Sequence, residues 1–188
     1  MTTAVSSVLA PESMSLAQVP TPCLVLDEGK MNANISRLRD RLAAAGVGFC
    51  PHLKTAKSMD IARRMLATPQ GPATVSTLRE AEFFADCGLT DLTYAVGISP
   101  CKLPRVGALL KRGVRLTILL DSVEQARAVA GYAQSHGPIP VLIELDCDGH
   151  RSGVHPDNAE LLLAIAHTLT PAAHLRGVLT HAGESYTA

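Results

Sequence analysis

Two short runs constrain this sequence most: residues 116–120 (LTILL) and 141–145 (VLIEL) are almost continuously apolar, and each lies between amphipathic stretches. A strand with one wet face alternates apolar and polar residues. An unbroken apolar run marks a strand covered on both faces, as in a parallel sheet clothed by helices. Similar strand candidates fall at 23–26, 47–52, 73–76, 92–96 and 175–180, with 140–145 taking in the second of the two runs. Helix candidates lie between them at 28–45, 58–67, 78–87, 102–111, 123–135 and 156–169. Gly46, Gly88 and Gly113 stand where helices should stop, and Ser58 and Ser122 where they should start. Strands alternating with helices of this length predict βαβ units. The architecture is then a (β/α)8 barrel or a doubly wound sheet.

Composition narrows the setting. The chain has 188 residues, 47% of them hydrophobic, enough for one sizeable core. No run approaches the ~20 apolar residues that span a bilayer. Seventeen basic and seventeen acidic residues cancel, and aromatics are only 3%, which argues against a nucleic-acid surface. Cys23, Cys50, Cys87, Cys101 and Cys147 are scattered and odd in number. They read as reduced, small buried hydrophobes in a cytoplasmic protein. Residues 1–19 lack Lys and Arg and any long apolar run, and they are expected to form a mobile extension before a domain spanning 20–188.

In a barrel, chemistry collects where strands end and loops begin. Polar residues gather at three such ends: Pro51-His52-Leu53-Lys54-Thr55-Ala56-Lys57, the stretch 146–154 (DCDGHRSGV), and 180–186 (THAGESY). The first resembles the cofactor-lysine motif of the D-threonine aldolase and D-serine dehydratase family, which belongs to the alanine racemase-like, fold-type III pyridoxal phosphate enzymes. Thr21-Pro22 with Asn34-Ile35 resembles that family's opening, and the other two stretches resemble its later barrel motifs. The resemblance covers most of residues 20–186.

The resemblance implies a TIM-type (β/α)8 barrel of the alanine racemase N-terminal domain kind, with pyridoxal 5′-phosphate as a Schiff base on Lys54. Arg151 then approaches the cofactor's phenolic oxygen and His181 lies against its ring. Tyr186 reaches the ring or its nitrogen, and His52 supports Lys54. Lys57 is read as a solvated or local structural charge, and Thr77 and Tyr94 as weaker candidates for lining the pocket, read equally as core or surface residues. Cys50 departs from the family, which usually carries arginine there.

The implied reaction is a lyase reaction on a D-β-hydroxy amino acid, either aldol cleavage or loss of water and ammonia. Alternatives are a racemase or a non-catalytic pyridoxal phosphate-binding protein, and the resemblance also implies a homodimer with shared sites. A metal-dependent hydrolase using Asp146, Asp148, His150 and His181 is a reading of a different class. A complete barrel needs ~250 residues. The sequence therefore reads as a barrel cut before its last strands and before the family's C-terminal β-domain. That domain is expected to hold a divalent metal, zinc or manganese, so this chain alone is expected to be weakly active.

Overall fold

A computed structural model of the chain describes residues 15–169 and 173–186. Five strands, β1 (Ala73–Val75), β2 (Asp91–Gly97), β3 (Arg115–Leu120), β4 (Pro140–Leu145) and β5 (His174–Thr180), form one sheet. All pairings are parallel and the spatial order is the sequence order. A doubly wound sheet reverses its order at a switch point. This one advances in a single direction, as a barrel wall does.

The helices are α1 (Glu28–Ala44), α2 (Met59–Met65), α3 (Leu78–Asp86), α4 (Leu103–Lys111), α5 (Val123–His136) and α6 (Ala159–Leu169). Thr77 and Ser122 each close a reciprocal capping box, with Glu80 and Gln125 three residues on. Ser58 stands at the start of α2 but its side chain makes no capping bond. Asp27 caps α1 by accepting the Lys30 N–H at 2.9 Å.

Register decides which side chains meet the helices. Ala73 and Val75 sit beside Leu92 and Tyr94, which sit beside Leu116 and Ile118. Ile118 and Leu120 continue to Val141 and Ile143. This row forms the core with Phe84, Val106, Leu109, Val129 and Ile165 from the helices. The opposite face carries Thr74, Thr93, Thr117 and Glu144, with Thr117 and Glu144 buried. Arg176 reaches across that face and donates to Thr117 Oγ1 at 3.1 Å.

Three arginine–carboxylate pairs, Arg105–Glu82, Arg112–Asp86 and Arg115–Asp91, join α3 and β2 to the following α4 and β3.

Two strand candidates are corrected. Residues 23–26 are coil, with Leu24, Val25 and Leu26 exposed. Of 47–52, only His52 pairs, as a single parallel bridge to Thr74. Apolar residues favour a strand, but a strand also needs a neighbour for its backbone. Among the described residues neither segment has one along its length. Val47 and Val178 are likewise exposed. Of the expected extension, residues 1–14 lie outside the described residues, while Leu16–Gln18 form a short 3-10 turn capped by Ser15.

Candidate active site

Parallel strands deliver their carboxyl ends to one pole, and the three polar stretches meet there. The first begins at the His52–Thr74 bridge, where the Leu53 N–H donates to Thr74 O and the Thr74 N–H to Pro51 O, both at 2.9 Å. This pins the chain just before Lys54, which is exposed. The Lys54 N–H donates to His52 Nδ1 at 3.2 Å, and His52 Nε2 lies 3.1 Å from Ser76 Oγ. Because Nδ1 accepts, the proton of neutral His52 sits on Nε2 and points to Ser76. Burial lowers the His52 pKa, and Lys54 and His181 lower it further, against the pull of Glu80. His52 thus feels the charges of both Lys54 and His181.

Lys57 is more than a solvated charge. It has φ 49°, and its Nζ lies 3.1 Å from Glu80 Oε1. Glu80 Oε2 accepts the Ser76 N–H at 2.8 Å and the Thr77 N–H at 3.3 Å. Burial works against ionising Glu80, but these N–H groups and Lys57 outweigh it and hold the carboxyl below its ordinary range.

The second stretch folds back on β4. Leu145 bridges to Val154, whose N–H donates to Glu144 O at 2.9 Å. Inside the loop, Asp146 accepts the N–H groups of Asp148 (3.1 Å), Gly149 (2.9 Å) and Arg151 (3.1 Å). Burial would raise its pKa, yet the three donors keep it low. Gly153 has φ +123°, and an added Cβ would lie 2.6 Å from Asp146 N. The turn therefore requires glycine.

The third stretch is tied to the second. Asp148 Oδ2 accepts the Gly183 N–H at 2.5 Å and the Glu184 N–H at 3.2 Å. Exposed Arg151 lays its guanidinium over Gly183. His181 is half-buried beside them. The backbone of Tyr186 closes a 3-10 turn, Gly183–Tyr186, while its side chain lies outside the described residues.

The sequence did not single out Glu80, Asp121 or the cross-loop role of Asp148. Glu80 carried a signal, the Thr77-x-x-Glu80 capping pattern. The other two act across 32 and 35 residues, Asp121 by accepting the Gly153 N–H, and leave no local trace.

Some expected pocket residues are elsewhere. Tyr94 is buried on the helix face, where its hydroxyl accepts from Lys102 Nζ at 3.0 Å. Thr77 is spent as a helix cap. Four of the five cysteines are exposed and Cys87 is half-buried, so they are not core hydrophobes. Asp146 and Asp148 are committed to backbone donors, and His150 Nδ1 lies 2.8 Å from Asp148 O. Among the described residues no three His, Cys, Asp or Glu side chains form a metal-binding group. Two surface clefts, one around Met59, Arg63 and Gln70 and one around Gly71, Thr90 and Arg115, lie at the amino ends of the strands, away from Lys54. No helix among the described residues is long and apolar enough to cross a membrane.

A one-directional parallel sheet with polar loops gathered at its carboxyl pole defines the wall of an α/β barrel. Within that class the chain belongs to the alanine racemase N-terminal domain family, whose model matches residues 26–187. It is 45% identical over 174 residues to a D-threo-3-hydroxyaspartate dehydratase from Delftia sp. strain HT23, covering 92% of this chain and 46% of that protein. It is 29% identical to a 3-hydroxy-D-aspartate aldolase from Paracoccus denitrificans, covering 90% and 45%. A solved structure of an alanine racemase-like protein from Idiomarina loihiensis superposes with a TM-score of 0.86 at 47% identity, covering 92% of this chain and 46% of that one. The chain thus spans about half the length of the relatives it matches.

Proposed function

We propose that this chain forms the pyridoxal phosphate-binding part of a lyase that acts on D-amino acids carrying a hydroxyl on Cβ, with Lys54 holding the cofactor aldehyde. The observation that carries this reading is the contrast between the two lysines of the first loop. Lys57 is committed to Glu80, whereas Lys54 makes no ion pair among the described residues and stands exposed at the carboxyl pole. An amine must be uncommitted to condense with an aldehyde. The residues present fit the group in this respect.

Bound there, pyridoxal phosphate supplies an electron sink for negative charge developing at the substrate's Cα. Arg151 is suited to hold an oxyanion of the cofactor ring, since a guanidinium stays charged and offers several donors in one plane. His181 borders the same space. His52 favours its neutral form, so it adds little positive charge beside Lys54. Lys54 is the residue placed to take the proton from Cα, the step a dehydratase needs. Tyr186 remains a candidate ring contact. Zinc or manganese, acting on the β-hydroxyl, belongs to this proposal as a metal held by residues outside this chain.

The named relatives support the substrate class, because D-threo-3-hydroxyaspartate and 3-hydroxy-D-aspartate both carry that hydroxyl. The 45% identity to a dehydratase, against 29% to an aldolase, favours elimination over Cα–Cβ cleavage. A homodimer and a cytoplasmic location, the latter resting on five free thiols, complete the proposal.

The test is an absorbance spectrum of protein incubated with pyridoxal phosphate. We expect a near-visible band that is absent from Lys54→Ala. A folded wild-type protein with no band would refute the reading. Ammonia and a 2-oxo acid from a D-β-hydroxy amino acid would establish the dehydratase reaction, and an aldehyde product would replace it with the aldolase.

A further inference from the structure

The loop that presents Lys54 carries a second amine three residues on, and exposure does not separate the two. The Lys57 side chain is 62% exposed, so an aldehyde in solution can reach it. What separates them is Glu80. Its carboxylate is buried and fixed at the start of α3 by the N–H groups of Ser76 and Thr77. Its remaining oxygen lies 3.1 Å from Lys57 Nζ. Lys57 is also the one non-glycine residue with a left-handed φ among the described residues, a conformation sterically unfavourable for any side chain with a Cβ. The Lys57 N–H closes the turn on Leu53 O at 3.0 Å. A strained residue persists when its surroundings hold it there, and here the ion pair and this turn bond do so.

We propose that Glu80 selects Lys54 over Lys57 as the cofactor-bearing amine. This rests on the reading that Lys54 holds pyridoxal phosphate. Condensation joins the lysine nitrogen to the aldehyde carbon, and the aldehyde oxygen leaves as water. At Lys57 that reaction would draw the nitrogen away from Glu80 and leave a buried carboxylate without its cation. At Lys54 it breaks no ion pair among the described residues. Glu80 touches neither cofactor nor substrate in this account. It is a positioning residue that acts through Lys57.

The experiment is reductive trapping. Protein is mixed with pyridoxal phosphate and treated with borohydride, which adds hydride to the carbon of the C=N bond while water protonates the nitrogen. The stable secondary amine is then located by peptide mass mapping. In the wild type the label should fall on Lys54. In Glu80→Gln the ratio of Lys57 to Lys54 label should rise about fivefold, the scale of a lost, partly exposed ion pair. A merely structural role would lower total label and leave the ratio unchanged, and an unchanged ratio overturns the proposal. No label on Lys54 in the wild type would overturn the cofactor reading, and this proposal with it. If Glu80→Gln does not fold, limited acetylation of the wild type decides. Lys57 should react about fivefold more slowly than exposed Lys111, and equal rates would overturn selection by Glu80.

Discussion

The guanidinium of Arg151 packs so closely over Gly183 that a Cβ built there would lie 2.5 Å from one of its nitrogens. Glycine at this position is what allows the loop after β4 to lie against the loop after β5. The obstacle to a larger residue is the far end of a flexible side chain, which can swing away. Gly183→Ala should therefore cost less than ~1 kcal/mol of stability. It should weaken pyridoxal phosphate binding about tenfold by displacing a charged donor. Thermal unfolding and a cofactor titration on the same sample would separate the two effects.

Gly153 gives the opposite outcome. Its φ is +123°, and a Cβ would meet Asp146 N and the Leu145 carbonyl carbon, both at 2.6 Å. Backbone cannot step aside, so Gly153→Ala should lose about 3 kcal/mol, read as a lower urea midpoint.

Glu80 and Asp146 both have carboxyls held below their ordinary range. Such groups add stability above the unfolded-state pKa, and it is lost as pH falls through the lower folded-state pKa. Urea unfolding from neutral pH downward should show stability falling in the acid range below about pH 4.5. Asp146→Asn should flatten that fall. An unchanged acid slope in the variant would show that the loop donors do not favour the charged form.

Glu144 behaves in reverse. Burial raises its pKa, the nearby Asp121 adds to this, and its Oε2 has no hydrogen-bond partner among the described residues. Its fold prefers the protonated form, so stability declines as pH rises from the ordinary carboxylate value through the raised one. Glu144→Gln should remove that decline and raise stability at neutral pH by roughly 1 kcal/mol, the scale of relieving a poorly satisfied buried polar group. The measurement is the urea midpoint above neutral pH.

Tyr94→Phe tests the placement of Tyr94. Losing the bond from Lys102 should cost about 1 kcal/mol. Cofactor affinity should not change, because the side chain faces the helices. A weakened cofactor titration would return Tyr94 to the pocket.

Much of the fold was legible because its signals are local. Residues 140–145 carry an apolar run bounded by turn residues, and Pro140–Leu145 is the strand observed. Ser122 announces its helix through Gln125 three residues away, and Thr77, read as a pocket candidate, carries the same signal with Glu80. Residues 23–26 and 47–52 have the same apolar character but not the partner strands, and composition cannot supply those. Tyr94 was left between pocket and core because strand register, set by neighbours, decides which face a residue takes. At the pole, Lys54 drew notice from its position just past an apolar run, whereas His52, Arg151 and His181 were named as its neighbours only through the family resemblance. The bonds from Asp148 to Gly183 and from Glu80 to Lys57 were not, since both appear only when distant turns are brought together.

The arginine pairs that join α3 and β2 to α4 and β3 differ in kind from the carboxylate bonds at the other pole. Arg105–Glu82, Arg112–Asp86 and Arg115–Asp91 connect partly exposed side chains. Asp146 and Asp148 instead hold backbone N–H groups within hydrogen-bond reach. Mobile ions screen the first kind strongly and the second little. Ionic strength then becomes a selective solvent dial for this molecule. Added salt would loosen the seam between two successive βα units while the loops after β4 and β5, held by Asp146 and Asp148, keep their shape, so mechanical softening of the wall can be examined apart from damage to that part of the site.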